Sequence, residues 1–336
     1  MKLLVTGGAG FIGSAFVRMA LAENRAALVV NLDKLTYAGN LENLASVAGD
    51  SRYRFAHADI CDAPRVNEVL AGVQPDAIVH FAAESHVDRS ILSPEPVFQT
   101  NLRGTFTLLE AARLNRVPRF LHVSTDEVYG SIEPPDEAGE EYPLKASSPY
   151  SASKAGSDLL ALSYFVTYRL PVTVTRASNN YGPYQFPEKL IPLMLTNAFE
   201  GLPLPVYGDG RQIRDRLSLE DPCRALVSVL SLGRPGEIYN IGGNCSLPNL
   251  EVVRRILRAT GQPDSLVRTV ADRPGHDRRY ALSSAKLQRE TGWSPQVSFD
   301  GGLARTIDWY RQNQEWVRRV KSGEYRNYYE LNYGGR

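Results

Sequence analysis

The chain has 336 residues, 43% of them hydrophobic, enough to bury one large core or two modest ones. Its formal net charge is +1 with no long run of one sign, so nothing marks a nucleic-acid or anionic-membrane surface, and any basic residue that holds phosphate must act locally. No apolar stretch is long enough to span a bilayer, and the apolar start Lys2–Val5 runs at once into glycines instead of reading as a signal peptide. Cys61, Cys223 and Cys245 are too scattered for a disulfide framework or a zinc site, so no metal is expected and a reducing cytoplasm is the default.

Leu3 to Thr6 has the pattern of a short buried strand. Gly7, Gly10 and Gly13 follow as a G-x-x-G-x-x-G array, and Ser14 to Glu23 suits a helix. A backbone without Cβ turns tightly, approaches a pyrophosphate and presents N–H donors at a helix N-terminus. A second strand, Ala27 to Leu32, ends at Asp33, twenty residues after Gly13, where a carboxylate would accept from adenosine ribose hydroxyls and repel a 2′-phosphate. The order strand, glycines, helix, strand, acid predicts a dinucleotide site that prefers NAD over NADP, against the plainer reading of an unliganded glycine-rich turn.

Further strands are expected at Arg54–Ala58, Ala77–Phe81, Arg119–Val123 and Pro171–Thr175, each handing over to small or polar residues at its carboxyl end, where open α/β sheets bind ligands. Helices are expected around 63–71, 94–115 and 149–169. The last two are apolar on more than one face, which suits a second subunit or a thick intramolecular core.

Tyr150 and Lys154 lie four residues apart, one above the other on a helix face. An ammonium beside a phenol, together with an oxidised nicotinamide, favours phenolate and prepares a base. With 17 Tyr in the chain such a pair can arise by chance, but its place after the fifth strand of a dinucleotide-binding sheet gives it weight. Thr125-Asp126-Glu127 adds two carboxyls next to a hydroxyl. Adjacent carboxyls titrate apart, one protonated and one ionised, as acid and base roles require; a helix N-cap or solvated turn is the alternative reading. From Asn179 onward, proline and glycine become frequent, as in a smaller lobe of short elements.

Several segments together resemble the dTDP-glucose 4,6-dehydratases of the extended short-chain dehydrogenase/reductase family. They are 7–13, Asp33 to Asn40, Ala82 to Ser90, His122 to Gly130, Tyr150 to Lys154, Asn179 to Pro183, Pro187 to Pro192, Ala271 to Asp277 and Val320 to Tyr325, which span nearly the whole chain. The resemblance implies an α/β fold: a Rossmann-type doubly wound parallel sheet with a smaller C-terminal substrate-binding domain. It places an NAD-binding domain at 1–178 and a sugar-nucleotide domain at 179–336, with roughly 214–245 partly returning to the sheet.

It also implies a three-stage reaction on a hexose carried by a nucleoside diphosphate. Tyr150 takes the C4 hydroxyl proton while hydride passes from C4 to NAD, with Thr125 placing the oxygen and Lys154 supporting phenol and ribose. Glu127 then removes the C5 hydrogen, Asp126 protonates the departing C6 hydroxyl, hydride returns to C6, and C5 is reprotonated. The product is a 4-keto-6-deoxy sugar nucleotide.

By the same resemblance NAD meets Gly7, Gly10, Phe11, Ile12, Gly13, Asp33, Lys34, Leu35, Thr36, Asp59, Ile60, Ala82, Ala83, Glu84, Ser85, Thr100, Tyr150, Lys154 and Asn180. The sugar nucleotide meets His86, Thr125, Asn179, Lys189, Leu190, Pro205, Val206, Tyr207, Arg214, Asn249, Asp272, Arg273, Pro274, Gly275 and His276. Read without the family, Lys189 and Arg214 are ordinary charges and His86 is a structural loop residue. A homodimer without nucleic-acid or membrane partners is expected.

The chain departs from the family after Arg214-Asp215, where an aromatic residue, often Trp, is usual and another aromatic or His follows two positions later; here Arg216 and Ser218 stand instead. The packing beneath that segment and the nucleotide pocket should differ accordingly. Other nucleotide-sugar enzymes remain open: a UDP- or CDP-glucose 4,6-dehydratase, a 4-epimerase or a UDP-glucuronate decarboxylase. So does a catalytically idle NAD-binding regulatory protein.

Overall fold

The computed structural model describes residues 1–322 and Tyr329; the Gly323-Glu324-Tyr325 part of the C-terminal match lies outside the described residues. The first half alternates strand and helix: β1 (Lys2–Thr6), α1 (Phe11–Ala22), β2 (Leu28–Asp33), β3 (Tyr53–His57), α2 (Ala63–Val73) and β4 (Ala77–His80). Then come α3 (Val87–Leu92), α4 (Glu95–Phe98), α5 (Thr105–Leu114), β5 (Phe120–Thr125), α6 (Pro149–Tyr168) and β6 (Val172–Ala177). Leu3, Val29, Ile78, Leu121 and Val174 are buried, as strands covered by helices on both faces require.

The second half holds β7 (Asn179–Tyr181), α7 (Leu190–Glu200), β8 (Leu204–Tyr207), β9 (Ile213–Ser218), α8 (Glu220–Leu232), β10 (Ile238–Ile241) and β11 (Ser246–Pro248). It continues through α9 (Asn249–Thr260), β12 (Val267–Val270), α10 (Ala285–Thr291), α11 (Phe299–Gln312) and α12 (Gln314–Val320).

Seven parallel strands form the main sheet in the order β10-β6-β5-β4-β1-β2-β3. β1 is flanked by both β2 and β4, so the winding reverses there and a crevice opens at the carboxyl ends. One face is packed by Phe16, Val17, Leu226 and Val229, the other by Leu70, Leu108, Leu109 and Tyr164. A third core, with Met194, Val252, Ile256 and Leu303, belongs to the second lobe, beneath a three-stranded sheet β11-β9-β7 and the parallel pair β12-β8.

One expectation is corrected. The helix expected over 94–115 is interrupted by a π-helical stretch, Gln99–Gly104. There the helix lies so close to the β3–α2 loop that a Cβ on Gly104 would stand 2.4 Å from Ile60 Cδ1, and such widened turns recur where a helix serves a site. Within 214–245 the chain returns in part to the main sheet. β9 stays with the small sheet, α8 packs on α1, β10 joins β6, and α10 with Trp293 completes the same core well beyond residue 245. Among the described residues no helix is long and apolar enough to cross a membrane, and no His, Cys, Asp or Glu cluster could hold a metal ion.

Candidate active site

The crevice at the switch point is a cleft of about 1220 Å³ including its open mouth. Gly7 turns at φ +70, and a Cβ there would lie 2.6 Å from the Ala82 backbone nitrogen; a Cβ on Gly13 would lie 2.3 Å from the Gly7 oxygen. The glycines are thus required by close backbone approach as well as by the turn. Asp33, at the end of β2, accepts from Ala9 N and Leu35 N at 2.9 Å each, which fixes its carboxylate at the rim and leaves lone pairs for hydroxyl donors. Burial raises its pKa, against those two backbone bonds.

Phe11, Ile12, Lys34, Thr36, Ile60, Ala82 to Ser85, Thr100, Tyr150 and Lys154 line the same cleft, as expected. Leu35, Asp59 and Asn180 are not among its lining residues. Leu35 packs on the core beside α1, Asp59 pairs with Lys34 at 3.2 Å, and Asn180 accepts Gln185 Nε2 on its backbone oxygen.

The sequence reading missed a clamp across the mouth. Arg89 lies 3.9 Å over the Tyr37 ring and donates to Glu188 at 2.8 Å, while Phe186 meets Tyr37 edge-on. The signal was that Tyr37, Arg89 and Glu188 all fall inside matched segments, 33–40, 82–90 and 187–192.

The catalytic group forms where β5 ends opposite the start of α6. Ser148 and Ser151 cap each other's backbone and Pro149 opens the helix, so Tyr150 is held in the first turn facing β5. Thr125 hydrogen-bonds Tyr150 and lies 3.3 Å from Asp126 Oδ1, and its oxygen also accepts from Glu127 N at 3.3 Å. Asp126 is 2% exposed and its Oδ2 has no partner among the described residues. Burial, then the charges of Glu127 and Asp215, push its pKa well above the ordinary carboxylate range, which favours the protonated form that a proton donor requires.

Lys154 Nζ donates to the Val123 carbonyl at 2.8 Å, and burial lowers its pKa to about 8. The expected drawing-down of the phenol is outweighed in the protein alone: burial first, then Glu127, raises the Tyr150 pKa. Behind this group Asp158, Arg176 and His122 form a fully buried ion-pair cluster.

The residues expected to meet a sugar nucleotide gather on the second-lobe side, except Val206, His86, Lys189 and Thr125 of β5. Arg214 lies 4.0 Å over the Tyr280 ring. Tyr207 donates to Asp88 at 2.9 Å and meets His276 edge-on. Asp272 binds His276 and Gln212 at 2.6 and 3.1 Å, and Arg273 reaches Asp88 at 3.3 Å. Pro274 and Gly275 form the exposed turn of this loop, and Pro205 is buried in β8. Leu190 packs on the second-lobe core. Asn179 Oδ1 is buried without a partner among the described residues.

Val206 is the first exception. Alternation along β8 turns its side chain, 4% exposed, into the core with Leu204. His86 is the second: its two ring nitrogens engage Arg89 N and the Glu188 oxygen, so it caps α3 and ties the lobes together. Lys189 is half-buried and donates to the Ser85 backbone oxygen at 2.6 Å, on the cofactor side of the cleft.

A parallel doubly wound sheet, a glycine cradle and a Tyr–Lys pair beside a buried carboxyl define an NAD-binding enzyme of the short-chain dehydrogenase/reductase type. A family model described as GDP-mannose 4,6 dehydratase matches residues 4–306. The dTDP-glucose 4,6-dehydratase of Shigella flexneri is 53% identical over 361 aligned positions, covering 100% of both chains. Among solved structures, the dTDP-glucose 4,6-dehydratase DesIV of Streptomyces venezuelae, with NAD bound, is 55% identical, covers 96% of this chain and 100% of its own, and superimposes with a TM-score of 0.93. The UDP-glucose 4-epimerase of Thermus thermophilus, also with NAD, is 32% identical over 93% of this chain and 100% of its own, with a TM-score of 0.87. The chain therefore belongs to the dTDP-glucose 4,6-dehydratase family.

Proposed function

We propose that the chain converts dTDP-glucose to dTDP-4-keto-6-deoxyglucose. The observation that carries this reading is the group Thr125, Asp126, Glu127 and Tyr150, in which a buried carboxyl with a raised pKa and a second carboxyl stand beside the phenol. Alcohol oxidation and epimerisation need the phenol and a hydroxyl; elimination of water also needs an acid for the leaving oxygen and a base for the adjacent carbon.

The glycine cradle and the fixed Asp33 carboxylate fit NAD, and Gly7, Gly10, Gly13, Asp33, Tyr150 and Lys154 would hold it. When bound it accepts hydride from C4 and later returns it to C6. Tyr150 takes the proton of the C4 hydroxyl, with Thr125 bonded to the same oxygen. Glu127 removes the C5 hydrogen once C4 is a ketone, and C5 is reprotonated when C6 regains the hydride. Asp126, kept protonated by its surroundings, donates to the departing C6 oxygen. Arg214 and Asn249 hold the diphosphate, and the 205–207 and 272–276 segments close over the nucleotide. On this reading residues up to about 178 hold the cofactor and most of the remainder hold the sugar nucleotide.

The exposed apolar side chains Phe98, Phe106, Leu159 and Val166 lie along the π/α5 and α6 helices, which pack against each other. Such a patch suits burial between two copies, hence a homodimer, and the enzyme would work in the cytoplasm.

Incubation with dTDP-, UDP- and CDP-glucose tests the reading. Only dehydration yields a product lighter by one water with a 6-methyl group and the alkaline absorbance of a 4-ketone. Intact substrate or a 4-epimer would refute it.

A further inference from the structure

Arg214 and Arg216 project from one face of β9, two residues and thus ~7 Å apart along the strand. Both are buried, at 5% and 7% exposure. Asp215 between them points to the other face, where its oxygens accept from Gly243 N and Cys245 N at 2.5 and 2.7 Å. Arg214 donates to the Ile213 and Asp277 carbonyls at 2.8 Å each, and Arg216 Nη2 donates to Asn249 Oδ1 at 2.5 Å. Among the described residues neither guanidinium has a carboxylate at ion-pair distance, and Arg216 Nε is buried with no partner.

Two adjacent buried cations with no carboxylate in contact are costly, and Asp215 and Asp126 act on Arg216 only from beyond ion-pair distance. Burial and Arg214 together pull the Arg216 pKa down to about 9, a direction that an anion beside it would reverse. The guanidinium also settles its neighbour. Since it only donates, Asn249 must turn its oxygen to Arg216 and its NH2 away. Asn179, the register partner of Arg216 on β7, carries another buried amide whose oxygen has no partner among the described residues.

Building on the nucleotide-sugar reading above, we infer that Arg216 is a specificity-determining contact for the substrate's diphosphate. With Arg214 it makes a two-guanidinium site, and it orients Asn249 so that the amide NH2 adds a further donor. A nucleoside diphosphate is thereby separated from a monophosphate.

The test titrates the NAD-loaded protein with thymidine diphosphate and thymidine monophosphate, in wild type, Arg216→Gln and Arg216→Lys, and measures kcat and KM for dTDP-glucose. Charge-assisted bonds of this kind correspond to about 10- to 100-fold in affinity. Arg216→Gln is expected to weaken the diphosphate by about that factor and the monophosphate by less than about threefold, with the loss in turnover falling on KM; Arg216→Lys recovers part of it. If Arg216→Gln does not fold, Arg216→Lys and Asn249→Ala carry the same comparison.

Equal weakening of both nucleotides, or wild-type affinity for the diphosphate in a folded variant, overturns the inference. So does a change confined to kcat and its pH profile, which would mean that Arg216 acts on Asp126. Failure of wild type itself to bind thymidine diphosphate would overturn the substrate reading, and this inference with it.

Discussion

Lys154 Nζ is tied to the Val123 carbonyl oxygen at 2.8 Å, so the ammonium that serves the phenol is anchored to the strand that delivers Thr125, Asp126 and Glu127. One hydrogen bond therefore links the two halves of the site. Lys154→Met should lower kcat by about 100-fold or more, measured in steady state with dTDP-glucose. Wild-type activity should also fall as pH rises through about 8, where burial places the loss of the ammonium charge. The unfolded chain binds more protons than the folded one between about 8 and 10.5, so stability rises across that window. Lys154→Met should abolish that rise in a pH series of melting temperatures.

Asp126 carries the elimination. Asp126→Asn should slow loss of water by about 10²- to 10⁴-fold while binding the sugar nucleotide nearly as well as wild type. Single-turnover product analysis separates the two effects, and near wild-type elimination would remove Asp126 from the acid role. Its pKa is raised in the folded state, which therefore binds more protons than the unfolded chain, so stability falls as pH rises from about 3.8 through the folded pKa. The variant should accordingly melt higher than wild type near pH 8, with the difference vanishing below pH 4.

Gly7→Ala tests the cradle. A Cβ would meet the Ala82 backbone at 2.6 Å in a conformation with φ +70, and neither strand can move without disturbing the parallel sheet. The purified variant should retain little NAD, read from the ratio of its absorbances at 260 and 280 nm. Full NAD content would show that the turn has room to spare.

Arg176 and Asp158 meet at 2.8 Å with both side chains buried. Although burial opposes it, bonding and charge from His122, then Arg176, hold the Asp158 carboxyl below its usual pKa. Arg176→Met would strand that charge and should cost about 3–5 kcal/mol of stability, measured by urea unfolding.

Much of this was legible in the sequence, for local reasons. The glycine array and Asp33 are fixed by backbone contacts within one βαβ unit, and Tyr150 and Lys154 by a single helix turn. The rest depends on distant contacts. His86 resembles a ligand-loop residue until Glu188, 102 positions away, takes its ring nitrogen. Val206 was expected to meet the sugar nucleotide, but the strand's two-residue alternation turns it inward. The π-helical turn at 99–104 follows from Gly104 packing on Ile60, which no period within the helix encodes. Arg216 was visible as a departure, but its link to Asn249 joins β9 to the start of α9, 33 positions further on.

The most direct test uses dTDP-glucose labelled with deuterium at C4. If Tyr150, Asp126 and Glu127 act on one sugar, the product will be lighter by one water and carry the deuterium in its C6 methyl group. Label remaining at C4, or lost to solvent without dehydration, would contradict the account.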